Sequence, residues 1–135
     1  MYNKIMVAID DSEMSQSALQ EALHIAGTYG AKLCIIHAVS NPDDASRLAG
    51  ASLLEKARFT AGNALDVETR LLEADGELGA NGVAEAIATA ADEWEAKLLV
   101  VGSKGRRGLE RLVLGSVAEQ LVSKVAASVL LVRLH

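Results

Sequence analysis

The 135-residue chain is half hydrophobic but only 3% aromatic, so a single domain over residues 1–135 must build its core from Val, Ile, Leu and Ala. One cysteine, Cys34, excludes an intramolecular disulfide, and no apolar run approaches the roughly 20 residues of a membrane span. The net charge of −5 weighs against nucleic acid as the main partner, and MYNKIMVAIDDSE lacks a signal-peptide layout, so a cytoplasmic protein is expected.

Lys4–Ile9 (KIMVAI) is a short apolar run ending at Asp10-Asp11-Ser12, which reads as a buried strand followed by a helix start. A helix is expected from Ser15 to Tyr29, with Ala18, Ala22 and Ala26 on one face and Gly30 at the left-handed cap. Lys32–Val39 (KLCIIHAV) is a second buried strand. A polar turn, Ser40-Asn41-Pro42-Asp43-Asp44, leads to a helix from Ala45 to Leu65 that contains Gly50 and Gly62 near its ends. Glu68–Leu72 is a third, weaker strand. Asp75–Asn81 is a loop, and Gly82–Glu95 is a helix with Val83, Ala86, Ile87, Ala90 and Ala91 facing inward. Lys97–Val101 is the fourth strand, and Gly102–Leu114 is a loop rich in glycine and arginine with room for a short helical turn. Gly115–Val125 is the last helix and Val129–Leu134 the fifth strand.

Alternating strands and helices predict an open, parallel α/β sheet with helices on both faces, a Rossmann-like architecture. If the first and fourth strands are neighbours, the order is 3-2-1-4-5. The acidic turn at Asp10 and the glycine loop after Val101 then flank the switch point where such sheets bind ligands. Charge supports an anion there. From Lys97 onward seven Lys/Arg face two acids, net +5, while the rest of the chain carries net −10.

The informative stretch runs from Val101-Gly102-Ser103-Lys104-Gly105 through Arg106, Arg107 and Arg111 to Gly115-Ser116-Val117. Glycines let backbone N–H groups approach anionic oxygens, and a helix starting at Gly115-Ser116 directs its unpaired N–H groups and positive dipole end toward a phosphate. Lys104, Arg106, Arg107 and Arg111 can screen phosphate charge. The chain has no G-x-x-x-x-G-K-S/T P-loop, and no G-x-G-x-x-G follows the first strand.

G-x2-G-x9-G-S/T between two strands, with KIMVAIDDSEMSQSAL at the opening and VLLVR at the close, resembles the nucleotide-binding branch of the universal stress proteins over Lys4 to Arg133. The resemblance implies an ATP site in which Gly102, Gly105, Gly115 and Ser116 hold phosphates and ribose. Asp10 would lie near the ribose or a nucleotide-bound Mg or Mn. Val101 and Val117 would line the pocket, and Ala38 would stand where the family often has valine against adenine. It also implies a homodimer through the fifth strand, Val129–Leu134. Lys97 stands where the family usually has an acid, and Ser128 where a proline commonly precedes the last strand.

Each residue also has a plainer reading. Asp10 can serve the first helix's N-terminus, although Asp11, Ser12 or Ser15 can cap it instead. His37 reads as a hydrogen-bonded core or rim histidine, Cys34 as an inert small hydrophobe, and Trp94 as packing. No histidine pair has metal-ligand spacing, and Ser116 has no recognisable base. The function expected is a nucleotide-binding sensor or regulator in stress response, its bound and empty states presenting different surfaces at Gly102–Gly115 and Asn41–Gly50. The alternatives are a dimeric interaction module that binds no nucleotide, and a weak ATP hydrolase.

Overall fold

The computed structural model describes residues 1–41, 43–103 and 115–133. Five strands among these residues form one parallel sheet: β1 (Lys4–Ala8), β2 (Lys32–Val39), β3 (Val67–Glu73), β4 (Leu98–Gly102) and β5 (Ser128–Val132). Their order is β3-β2-β1-β4-β5, so the expected order holds and β1 and β4 are neighbours. Val7 pairs with Val100 and Ala8 with Ile36, which aligns the carboxyl ends of the three central strands.

Among the described residues four helices cover the sheet: α1 (Glu13–Tyr29), α2 (Asp44–Ala61), α3 (Ala80–Trp94) and α4 (Ser116–Lys124). Ile5, Val7, Leu33, Ile35, Leu98 and Val100 point to α1 and α2. Met6, Cys34, Ile36, Leu99 and Val101 point to α3 and α4. This split follows from the period-two alternation of strand side chains, and both faces are apolar because both are covered. Alanine does the work that aromatics do elsewhere. Ala18, Ala22 and Ala26 are fully buried, and their small side chains let α1 lie close on the sheet.

Ser12 caps α1 by accepting from Ser15 N–H at 3.2 Å, and Gly30 closes it at φ 62°, ψ 37°, the conformation that makes glycine the natural residue there. Asp43 caps α2, and the Ser46 backbone N–H at 2.7 Å is the main cause holding its carboxylate below the ordinary range. Gly50, which weakens the helical pattern in sequence, has a packing reason. A Cβ there would meet Leu71 Cδ1 at 2.7 Å and His37 Cδ2 at 3.1 Å, so glycine lets α2 settle onto β2 and β3.

Most boundaries fall within one or two residues of expectation, and the larger differences lie in α2 and α3. Helix α2 ends at Ala61 rather than Leu65, because Gly62 turns the chain to φ 73°, ψ −161°. The Asp75–Asn81 loop contains a 3-10 turn over Gly76–Leu78, and α3 begins at Ala80. On α3, Ile87, Ala90 and Ala91 are buried as expected, and Ala84 and Ala88 join them, whereas Val83 and Ala86 are only half-buried.

The plainer readings of three residues agree with their surroundings. His37 is half-buried with Nδ1 2.7 Å from the Ile9 carbonyl; because the carbonyl can only accept, that nitrogen carries the proton. Trp94 is buried, donates from Nε1 to Glu68 Oε1 at 2.9 Å, and lies under the Lys4 ammonium at 5.1 Å. Cys34 is buried, and desolvation, reinforced by Glu68, pushes its thiol up to about 12. Of the two departures from the family pattern, Ser128 has a clear use. Its N–H donates to the Lys97 carbonyl at 3.1 Å, a bond a proline cannot make, and its Oγ accepts from the Tyr2 hydroxyl at 3.3 Å. Among the described residues no helix is long and apolar enough to cross a membrane.

Candidate functional site

The turn after β1 is built around Asp10. Its Oδ1 accepts from Ser12 N–H and from the Ser15 hydroxyl, both at 2.8 Å. Its own N–H donates to Ser15 Oγ at 2.8 Å. Asp10 is therefore not the residue that caps α1; it orients Ser12 and Ser15, which hold the first turn. Ser15 is 7% exposed, so this network lies beneath the rim of the sheet.

Across the switch point, β4 ends at Gly102 and the chain passes to Ser103. Ser103 is 3% exposed, and three of its groups are engaged. Its N–H donates to the Val132 carbonyl at 2.8 Å, its carbonyl accepts from Gly115 N–H at 2.7 Å, and its hydroxyl donates to Met14 Sδ at 3.1 Å. Ser103 thus fastens β4 to β5, to the start of α4 and to the first turn of α1. In sequence Ser103 is a serine between two glycines and carries no signal of these bonds.

Helix α4 begins at Ser116 with Gly115 as its N-cap and no side-chain cap. The first-turn N–H groups of a helix have no intrahelical acceptor, and the dipole makes that end favourable for an anion. Gly115 has φ −66° and ψ 154°, a conformation open to any residue. Backbone shape alone does not demand glycine here; its distinctive property is the missing Cβ.

Asp10, Gly102, Gly115 and Ser116 all stand at the carboxyl end of the sheet about the β1–β4 boundary. Gly102 and Gly115 are half-buried and Ser116 is exposed. Val101 is buried and Val117 half-buried, both within the α3–α4 core, so either borders the site from below. Ala38 is half-buried on that same face, one strand further along at the end of β2, where it pairs with Leu72. Lys104, Gly105, Arg106, Arg107 and Arg111 lie outside the described residues, as does Leu134 at the end of the expected fifth strand. Among the described residues no group of three or more His, Cys, Asp or Glu could hold a metal.

Known proteins resemble this chain over most of their length. Universal stress protein YxiE of Bacillus subtilis is 31% identical, covering 98% of this chain and 100% of its own. Universal stress protein MJ0531 of Methanocaldococcus jannaschii is 30% identical, covering 98% and 83% respectively. Among solved structures, universal stress protein UspA from Lactobacillus plantarum superposes with a TM-score of 0.78 at 24% identity, covering 98% of each chain. A universal stress protein solved in complex with cAMP has a TM-score of 0.72 at 30% identity, over 98% of this chain and 97% of that one. The family model for the universal stress proteins matches residues 1–133, and with it the chain is a member of that family.

Proposed function

We propose that the chain binds an adenine nucleotide, ATP with Mg or Mn, in the crevice at the carboxyl end of β1 and β4, and that it acts as a regulator rather than a turnover enzyme. The observation that carries this reading is the convergence of Gly102, Gly115 and the uncapped start of α4 at the switch point, with Asp10 across it. A relative 30% identical to this chain was solved with cAMP, an adenine nucleotide, which supports the ligand class. In this reading the α4 N-terminus takes the phosphates, Ser116 adds a hydroxyl donor, and Asp10 faces the ribose or the cation. Ala38 borders the base. Lys104, Arg106, Arg107 and Arg111 screen charge, and Gly105 belongs to the same phosphate contact. The bound cation supplies charge neutralisation; the protein's part is to hold and orient the phosphates.

Regulation by such a site needs a surface that changes or recruits, and β5, the edge strand among the described residues, is suited to self-pairing. Val129, Leu130 and Leu131 are half-buried on an edge strand, where unpaired backbone groups invite a second copy. Calorimetric titration of the full chain with Mg-ATP tests the nucleotide reading, with Gly115→Val as the blocked variant. Stoichiometric binding that the variant loses supports it; heat-silent titration at millimolar ATP would leave the self-pairing module as the better account.

A further inference from the structure

Three methionines occupy three distinct environments. Met1 is 95% exposed and Met6, within β1, is fully buried, while Met14 is half-buried. Met14 is the second residue of α1, next to Ser15, and its sulfur accepts the Ser103 hydroxyl at 3.1 Å. Ser103 is the residue that joins β4, β5 and the start of α4. The thioether therefore touches the junction on which the candidate site is built, and it is partly open to solvent.

We propose that Met14 is an oxidation site whose sulfoxide loosens the Ser103 junction. A peroxide transfers one oxygen to the sulfur lone pair. The O–O bond breaks, an S–O bond forms, the thioether is oxidised by two electrons, and the peroxide is reduced to water or an alcohol. The product is polar and chiral where the reactant was apolar and adaptable. Oxygen added at the lone pair that now accepts the Ser103 hydroxyl does not fit in the 3.1 Å between the two atoms, and oxygen added at the other lone pair leaves the sulfur a poor acceptor, so the present bond is lost in both cases. Either the Met14 side chain swings away or Ser103 moves, and movement of Ser103 also disturbs its bonds to Gly115 and Val132. The modification is reversible by sulfoxide reduction, as a switch requires. Its consequence for ligand affinity rests on the nucleotide reading above; the local loosening does not.

The test treats the full chain with hydrogen peroxide below the level that unfolds it, maps oxidised methionines by peptide mass spectrometry, and follows amide hydrogen exchange at Ser103 and Gly115. Met1 serves as the freely oxidised reference and Met6 as the protected one. Met14 should oxidise after Met1 and before Met6. Exchange at Gly115 and Ser103 should then rise about tenfold, the loss of a hydrogen bond of ordinary strength. Met14→Leu should show the same exchange, and the same Mg-ATP affinity, with and without peroxide. Met14 staying reduced while Met1 oxidises overturns the proposal, and so does Met14 oxidising with unchanged exchange. If untreated protein binds no ATP, the nucleotide reading fails while the exchange measurement still decides the switch.

Discussion

Replacing Asp10 separates its structural role from any role toward a ligand. In Asp10→Ala the Ser12 N–H and the Ser15 hydroxyl both lose the acceptor they now reach at 2.8 Å. Ser12 is half-exposed and its N–H regains water, so most of the cost comes from Ser15, which is 7% exposed. A hydrogen bond to a charged acceptor contributes about 1.5–3 kcal/mol, and a stranded buried donor costs about 1–3 kcal/mol. The net expectation is a loss of about 2 kcal/mol, or a fall in Tm of about 8 °C for a chain of this size. Asp10→Asn keeps an oxygen in place and loses only the charge, so about half that loss is expected. Urea and thermal unfolding of the three proteins measure this directly. Equal stability of wild type and Asp10→Ala, or equal damage from Ala and Asn, would refute the reasoning. Because Asp10→Asn preserves the turn, a loss of Mg-dependent ATP affinity in that variant would report contact with the cation rather than misfolding.

Other outcomes follow from particular positions. Glu95 closes α3 at φ 61°, ψ 45°, the left-handed region that costs a side chain about 1 kcal/mol, so Glu95→Gly should raise stability by roughly that amount in urea unfolding. Gly30→Ala should lower it by a similar margin, since Gly30 holds the same conformation. Burial raises the Cys34 thiol from 9.0 to about 12, so between those pH values the unfolded chain releases a proton that the native chain retains. Stability should therefore fall as pH rises from about 9 toward 12, more steeply than in Cys34→Ala, when urea midpoints are compared. Ser128 N–H faces β4, so by alternation the Leu131 N–H faces away from it. Leu131→Pro should keep the β4 ladder and abolish self-association in sedimentation velocity, and an unchanged sedimentation coefficient would remove β5 from the interface.

The fold was legible because the chain alternates cleanly between apolar runs and helical patterns. Lys32–Val39 matches β2 at both ends, and Gly30 marks the end of α1 because glycine takes the left-handed conformation at the least cost. Helix α3 was less legible. Its apolar residues are mostly alanine, so periodicity does not say which stripe faces the sheet, and the choice is settled by packing against α4 and by the Trp94–Glu68 bond. Gly50 looked like a helix weakness because its reason, the close approach of Leu71 and His37, lies in other elements. At the candidate site the glycines and Asp10 were visible as a pattern. Ser103 was not, because its bonds reach Met14 and Val132, far along the chain, and a serine between glycines carries no signal of them.

The central claim is a nucleotide at the start of α4, and calorimetric titration of wild type and Gly115→Val with Mg-ATP tests it most directly. The backbone at Gly115 accepts any residue, so the variant should retain the fold and lose only about 1 kcal/mol through a poorer N-cap. The account predicts one ATP per chain for wild type and at least a tenfold weaker affinity once a branched Cβ stands where phosphate oxygens must approach. Equal affinity in the two proteins, with the variant folded, would contradict it.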